Sequence, residues 1–175
     1  SSRVPATRNG LARTACATCA NAARTGRAPD FVNALGVSEG RYFADDKIEM
    51  PDPERFDNPA EYYASLFHEL GHSTGHKSRC DRDMSGYFGG EDYSKEELVA
   101  EMFASFACAQ CGIERNMDNS AAYIKGWLTV LQNDKKLVVC AAAQAQKGMD
   151  CVLGITFDNE ETEEKTEKSE ELVVV

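Results

Sequence analysis

All three histidines of the 175-residue chain fall within nine consecutive positions, in the run His68-Glu69-Leu70-Gly71-His72-Ser73-Thr74-Gly75-His76. This grouping constrains the backbone around it. On a helix, residues four apart share a face, so His68 and His72 present two imidazole nitrogens to one point in space. Glu69 is turned about 100° from His68 on such a helix, beside that point rather than on it.

The residues before the run carry the start signals that a helix needs. Asn58 is an N-cap residue, Pro59 occupies the first helical position, and Glu61 completes a capping-box-like arrangement. Tyr62, Tyr63, Leu66, Phe67 and Leu70 recur at helical spacing and form an apolar stripe, with His68 and His72 beside it. Gly75 fits a left-handed C-terminal stop.

His68-Glu69-Leu70-Gly71-His72 spells H-E-x-x-H, the pattern in which two histidines bind zinc and the glutamate acts as general base of a metallopeptidase. Such a site needs a third protein ligand. The metzincin extension is matched at Gly75, but Ser78 stands where its third histidine belongs, and His76 comes two residues too early. A following helix offers glutamates instead. Leu98, Val99, Met102, Phe103 and Phe106 form its buried stripe, and Glu97 and Glu101 stand one turn apart along the border. Helix phase favours Glu97 as the ligand, with Glu101 as the carboxylate that receives a ligand histidine's other nitrogen. Glu101 and Glu96 remain alternatives as ligand, and Ser94 to Glu97 also reads as a capping box that opens the helix.

Elsewhere the organisation is coarser. Arg41 to Phe43 and Lys47 to Met50, separated by Ala44-Asp45-Asp46, read as a short hairpin. Lys77 to Tyr93 reads as a long loop that lines a substrate cleft. A third helix is expected from Asn119 or Ser120 through Leu131, and a fourth from Asp134 to about Leu153, with Trp127 as a buried anchor. The result is an α+β chain. An apolar content of 42% permits one sizeable core without disulfides, and the longest clear apolar run, Leu137 to Ala143, is far too short to span a membrane. A cytoplasmic protein is expected.

Residues 1–29 carry five arginines and no acid, whereas residues 158–175 carry eight acids and two lysines. Both ends read as flexible tails around a domain over 30–157. The basic segment has no interleaved aromatic residues for base stacking, and the whole chain stands at −10, which argues against nucleic-acid contact by this chain alone. Cys16 with Cys19 and Cys108 with Cys111, each in C-x-x-C spacing, could hold a structural zinc, although Cys108 and Cys111 also suit small core positions.

The run from Tyr62 to Arg79 resembles the C-terminal zincin-like metallopeptidase domain of ArdC-type antirestriction proteins, which also occurs in phage polyvalent proteins. The likeness extends through Phe88-Gly89-Gly90, Tyr93, Glu96 to Glu101, Tyr123 to Leu128 and Asp134 to Lys136, and back to Tyr42, Asp46, Ile48 and Met50-Pro51, covering roughly residues 40 to 152. It implies a zincin-like fold with one Zn2+ per chain, a small β-sheet packed on the active-site helix, further helices C-terminal, and a role on mobile elements that meet restriction systems. Full-length members of that family carry a single-stranded-DNA-binding domain ahead of this one. Residues 1–29 are too short to be such a domain, so the chain is expected to be a fragment or to work without it.

The chemistry expected is metal-assisted hydrolysis of a peptide bond in a peptide or protein substrate, with His68, His72 and Glu97 as ligands and Glu69 as base. His76, Tyr93 and Tyr87 are candidate donors to the developing oxyanion, and His76 equally suits the negative end of its helix. The other reading is a catalytically silent, metal-stabilised module that binds a restriction component. An intact Glu69 favours the enzyme.

Overall fold

The computed structural model describes residues 29–34, 36–84, 91–114 and 135–155. The tails, the expected third helix with Trp127, Tyr87, and the Cys16–Cys19 pair lie outside these residues. The elements are β1 (Asp30–Asn33), β2 (Arg41–Phe43), β3 (Lys47–Met50), a 3-10 turn (Pro53–Arg55), α1 (Pro59–Ser73), α2 (Glu91–Cys111) and α3 (Lys135–Leu153). Among the described residues no helix is long and apolar enough to cross a membrane.

The hairpin forms as its sequence suggests, because Asp46 at φ 62° supplies the left-handed residue that ends a three-residue loop. Tyr42 pairs with Ile48 across the antiparallel ladder. The sequence reading did not include β1, which pairs parallel with β3 from Asp30↔Lys47 to Asn33↔Met50. The sheet order is β1-β3-β2, so β3 is central and β2 is an edge. This accounts for the burial of Ile48 and Met50, at 1% and 0% exposure, on the central strand.

Helix α1 begins as predicted, with Asn58 Oδ1 accepting from the Glu61 N–H at 3.0 Å. Its end differs from expectation. Thr74 caps it in right-handed geometry at φ −62°, and the left-handed residue comes later, at Asp81 with φ 50°. Gly75 sits in a crowded place instead, where a Cβ would lie 2.5 Å from Met84 Sδ and 3.1 Å from His72 O. The left-handed glycine stops belong to the other two helices. Gly112 and Gly154 have φ of 66° and 70°, and the following amides, Ile113 N–H and Ile155 N–H, reach back to Cys108 O and Asp150 O at 2.8 Å each.

Helix α2 starts at Glu91, three residues before Ser94, which puts Ser94 to Glu97 inside the helix and removes the capping-box reading of that segment. Its buried surface is also wider than one stripe because it packs against both α1 and α3. Leu98, Val99 and Phe103 are buried as expected, and so are Ala100, Ala104, Ala107, Cys108 and Cys111. Met102 is partly buried, and Phe106 is 36% exposed rather than in the core. Cys108 and Cys111 are small core residues in this packing.

The α1–α2 crossing is unusually close at Gly71. A Cβ added there would meet Ala100 Cα at 3.0 Å and Ala100 O at 3.2 Å, both backbone atoms that cannot rotate away. Replacing a helical glycine with alanine gains about 1 kcal/mol in propensity, whereas overpacking a close crossing costs about 1–3 kcal/mol. Gly71→Ala is therefore expected to lower stability in urea unfolding despite the better helix former. An increase in stability would mean that the two helices separate at no cost.

Candidate metal centre

The crossing at Gly71 and Ala100 places His68 and His72, one turn apart on α1, opposite Glu97 on α2. Both imidazoles turn Nε2 to the same point, and the two nitrogens are 3.1 Å apart. Glu97 straddles them, with Oε2 at 3.4 Å from His68 Nε2 and Oε1 at 3.4 Å from His72 Nε2. The donor atoms of these three residues lie within 4.8 Å of one another, the one such convergence among the described residues.

Donors placed tetrahedrally about 2.0–2.1 Å from a zinc ion stand about 3.3–3.4 Å apart. The edges of 3.1, 3.4 and 3.4 Å found here fit that spacing. Two imidazole nitrogens facing each other at such a distance make at most one hydrogen bond between them, so one shared cation satisfies them better than either does the other. The residues fit a metal ion.

The remaining glutamates of α2 take separate places behind the rings. Glu101 Oε1 lies 3.2 Å from His68 Nδ1, although off the axis of a well-formed hydrogen bond, so that buried nitrogen lacks a partner by hydrogen-bond geometry. Glu96 Oε1 lies 3.3 Å from His72 Nδ1. Each ring thus has a carboxylate at Nδ1, an arrangement that favours the tautomer whose Nε2 lone pair faces inward. The three acids considered from sequence are separated by geometry: Glu97 faces both Nε2 atoms, while Glu96 and Glu101 stand at the two Nδ1 atoms.

Electrostatics follows the same division. Burial opposes charge on the rings, yet Glu101 and Glu97 raise the pKa of His68 to about 10. Burial likewise opposes charge on His72, and Glu96 and Glu97 raise it nonetheless. Glu97 is also desolvated, but hydrogen bonds from both rings hold it well below the usual carboxylate range.

Glu69 is positioned by the sheet. Its Oε2 accepts from the Tyr42 N–H of edge strand β2 at 2.7 Å, the one hydrogen bond it makes among the described residues. Gly40 permits the approach, since a Cβ there would lie 3.1 Å from Glu69 Cγ and 2.7 Å from Met50 Sδ. Tyr42 is fixed in turn: its hydroxyl donates to Asp46 Oδ1 at 3.0 Å, and burial with the Asp46 charge pushes its pKa up to about 12. Arg79 pairs with Asp46 and reaches Ser73 O through Nε at 2.6 Å, which ties the hairpin to the end of α1.

Of the expected oxyanion donors, His76 turns Nδ1 to its own loop, accepting from the Ser78 N–H at 3.2 Å and lying 2.8 Å from the Ser78 hydroxyl. Tyr87 and the Tyr93 side chain lie outside the described residues. Sequence reasoning missed Arg82, in the loop after α1. No periodicity marks it, yet its Nε and Nη2 bond both oxygens of Glu96 at 2.9 and 2.7 Å.

A family described as "Zincin-like metallopeptidase" matches residues 36–144. Two Escherichia coli proteins named DNA primase TraC are 42% and 41% identical over 121 and 119 residues, or 69% and 68% of this chain but only 11% and 8% of theirs. The uncharacterized protein y4eC of Sinorhizobium fredii is 37% identical over 72% of this chain and 44% of its own. The chain thus spans less than half the length of each of these relatives. The Mn(II)-bound crystal structure of the antirestriction ArdC protein from plasmid R388 superposes with a TM-score of 0.67 at 32% identity, covering 89% of this chain and 55% of that one. Its metal-free form gives 0.63 at 33% identity, over 86% and 52%. The family match runs from before β2 into α3 and takes in both helices that build the His-His-Glu centre, and the chain belongs to the zincin-like metallopeptidase family.

Proposed function

We propose that this domain is a zinc-dependent peptidase in which His68, His72 and Glu97 hold the metal and Glu69 is the general base, serving an antirestriction-type protein of a mobile element. The observation that carries the reading is the position of Glu69. A purely structural metal site has no use for a carboxylate that neither holds the metal nor orients a ligand ring, yet a sheet-edge N–H fixes one oxygen of Glu69 and leaves the other to exchange a proton. The R388 relative supports the wider setting, since it is an antirestriction protein from a plasmid and has been crystallised with Mn(II).

A zinc ion in this centre would supply Lewis acidity toward water and the scissile carbonyl. The chain's own residues supply the rest. Glu69 Oε1 takes the proton of the attacking water and returns it to the leaving amine, while the Tyr42 N–H keeps Oε2 from rotating into its place. Glu97 lies on both rings and balances the ligand set with one negative charge. Glu101 and Glu96 orient the rings from behind and take no part in bond cleavage.

Glu69→Gln keeps the shape of the side chain but cannot accept a proton. It is expected to retain metal and lose turnover of a peptide library by about 100-fold or more. Unchanged turnover would remove Glu69 from the mechanism. Full protection of incoming DNA by a folded, metal-loaded Glu69→Gln protein would favour a catalytically silent binding module instead. For metal content, elemental mass spectrometry is expected to find one zinc per chain, abolished by Glu97→Ala. Glu96→Ala and Glu101→Ala should keep the metal with affinity reduced about 10- to 100-fold, and loss of metal in Glu101→Ala alone would transfer the ligand role to that residue. Metal must also displace the protons that the carboxylates hold on the rings, His68 having a pKa of about 10. Apparent affinity should therefore rise with pH, about tenfold per unit for each proton released. A flat profile in chelator competition from pH 6 to 8 would contradict the ring protonation derived above.

A further inference from the structure

The loop that follows α1 sends one buried side chain back to the centre. The Arg82 side chain is 7% exposed, and its guanidinium makes four short hydrogen bonds. Two go to the oxygens of Glu96, at 2.9 and 2.7 Å. The others go to Thr74 Oγ1 at 2.7 Å and Gly71 O at 2.9 Å, both on the last turn of α1. Arg82 therefore joins the turn of α1 that carries His72 to the part of α2 that carries Glu97.

We propose that Arg82 is a positioning residue for the metal centre, acting through Glu96 on His72, and that it rather than any ligand fixes the orientation of the second imidazole. This rests on the metal-site reading above. Glu96 is adjacent to Glu97 in sequence, and without a cation of its own it would be a second carboxylate able to turn toward the same ion. The bidentate guanidinium removes that freedom. It uses both oxygens of Glu96 and leaves Oε1 facing His72 Nδ1 at 3.3 Å. With Nδ1–H directed to a fixed acceptor, the lone pair of Nε2 stays aimed at the centre. The planar fork is what the position demands, because an ammonium cannot hold both oxygens and two α1 acceptors in one plane.

The test is metal affinity, read by chelator competition in wild type, Arg82→Met, Glu96→Gln, the double variant and Thr74→Val, together with the ligand-field spectrum of each protein loaded with Co(II). Arg82→Met and Glu96→Gln are each expected to weaken binding about 10- to 100-fold and to shift the Co(II) bands. The double variant should be no weaker than the weaker single, because both break one chain of contacts. Thr74→Val removes an Arg82 contact but leaves Glu96 held, so it should lower thermal stability and leave affinity and spectrum within about threefold of wild type. If Arg82→Met lowers stability while affinity and spectrum stay at wild-type values, Arg82 merely braces the loop and the proposal is overturned. Should Arg82→Met fail to fold, Glu96→Gln decides alone, and unchanged affinity there overturns the proposal equally. A wild-type protein that takes up no metal would refute the peptidase reading itself, an outcome distinct from metal uptake that is indifferent to Arg82.

Discussion

The centre depends on one close contact between helices, where Gly71 of α1 meets Ala100 of α2 with no room for a methyl group. The two small residues lie amid the functional ones: Gly71 falls between His68 and His72, and Ala100 falls between Glu97 and Glu101. Helix separation at this point sets the distance from imidazole to carboxylate, so a packing constraint in the core is also the dimension of the metal site. Phe67 of α1 and Phe103 of α2 are fully buried. Their burial supplies the free energy that holds three carboxylates of α2 close to two histidines.

That concentration of charge is tolerable because each of the three carboxylates stands within 3.4 Å of a ring or guanidinium nitrogen. Glu97 lies on both Nε2 atoms, Glu101 is next to His68 Nδ1, and Glu96 is shared between His72 and Arg82. Burial raises the cost of every unpaired charge in the cluster, and the shifts on His68, His72, Glu96 and Glu97 all favour the charged form despite that burial. A divalent cation at the convergence of the Nε2 atoms would replace ring protons with a fixed charge and leave the outer pairs in place. Affinity, protonation and the orientation of Glu96 are therefore coupled.

The sequence made local features legible and left lateral ones hidden. Asn58, Pro59 and Glu61 announced the start of α1, and the hairpin emerged from two short runs around Asp46, because caps and turns are decided by neighbours in the chain. The H-E-x-x-H spacing placed both histidines on one face for the same reason. Gly75 is no left-handed stop because Thr74 already ends α1 in right-handed geometry and the left-handed residue falls at Asp81. Phe106 was assigned to the core on periodicity alone, but α2 is sandwiched between two helices and fills its second face with Ala104, Ala107 and Cys108. Glu96, Glu97 and Glu101 could be ranked by helix phase, but the roles of Glu96 and Arg82 depend on where a loop folds back. Strand β1 is hidden in the sequence because its four residues, Asp-Phe-Val-Asn, set the two apolar side chains next to each other, even though burial alternates along the strand.

The three metal-facing residues and Glu69 are held by different parts of the scaffold, which has a mechanical consequence. The three metal-facing residues are held by helix–helix packing, whereas Glu69 is registered by the Tyr42 N–H of an edge strand. That strand is fixed relative to α1 through Tyr42, Asp46 and Arg79, whose side chain is only 2% exposed and whose Nε bonds Ser73 O. The hairpin and the helix end thus form one clamp, separate from the Arg82–Glu96 bracket on the other side of the same turn. Loosening the bracket would disturb Glu96 beside His72, while loosening the clamp would disturb Glu69. A chain could in principle lose the second and keep the first, so the convergence of His68, His72 and Glu97 does not require the clamp. Gly40 makes room for Glu69 on the clamp side, so the place of Glu69 depends on the sheet edge while that of the three metal-facing residues depends on helix packing.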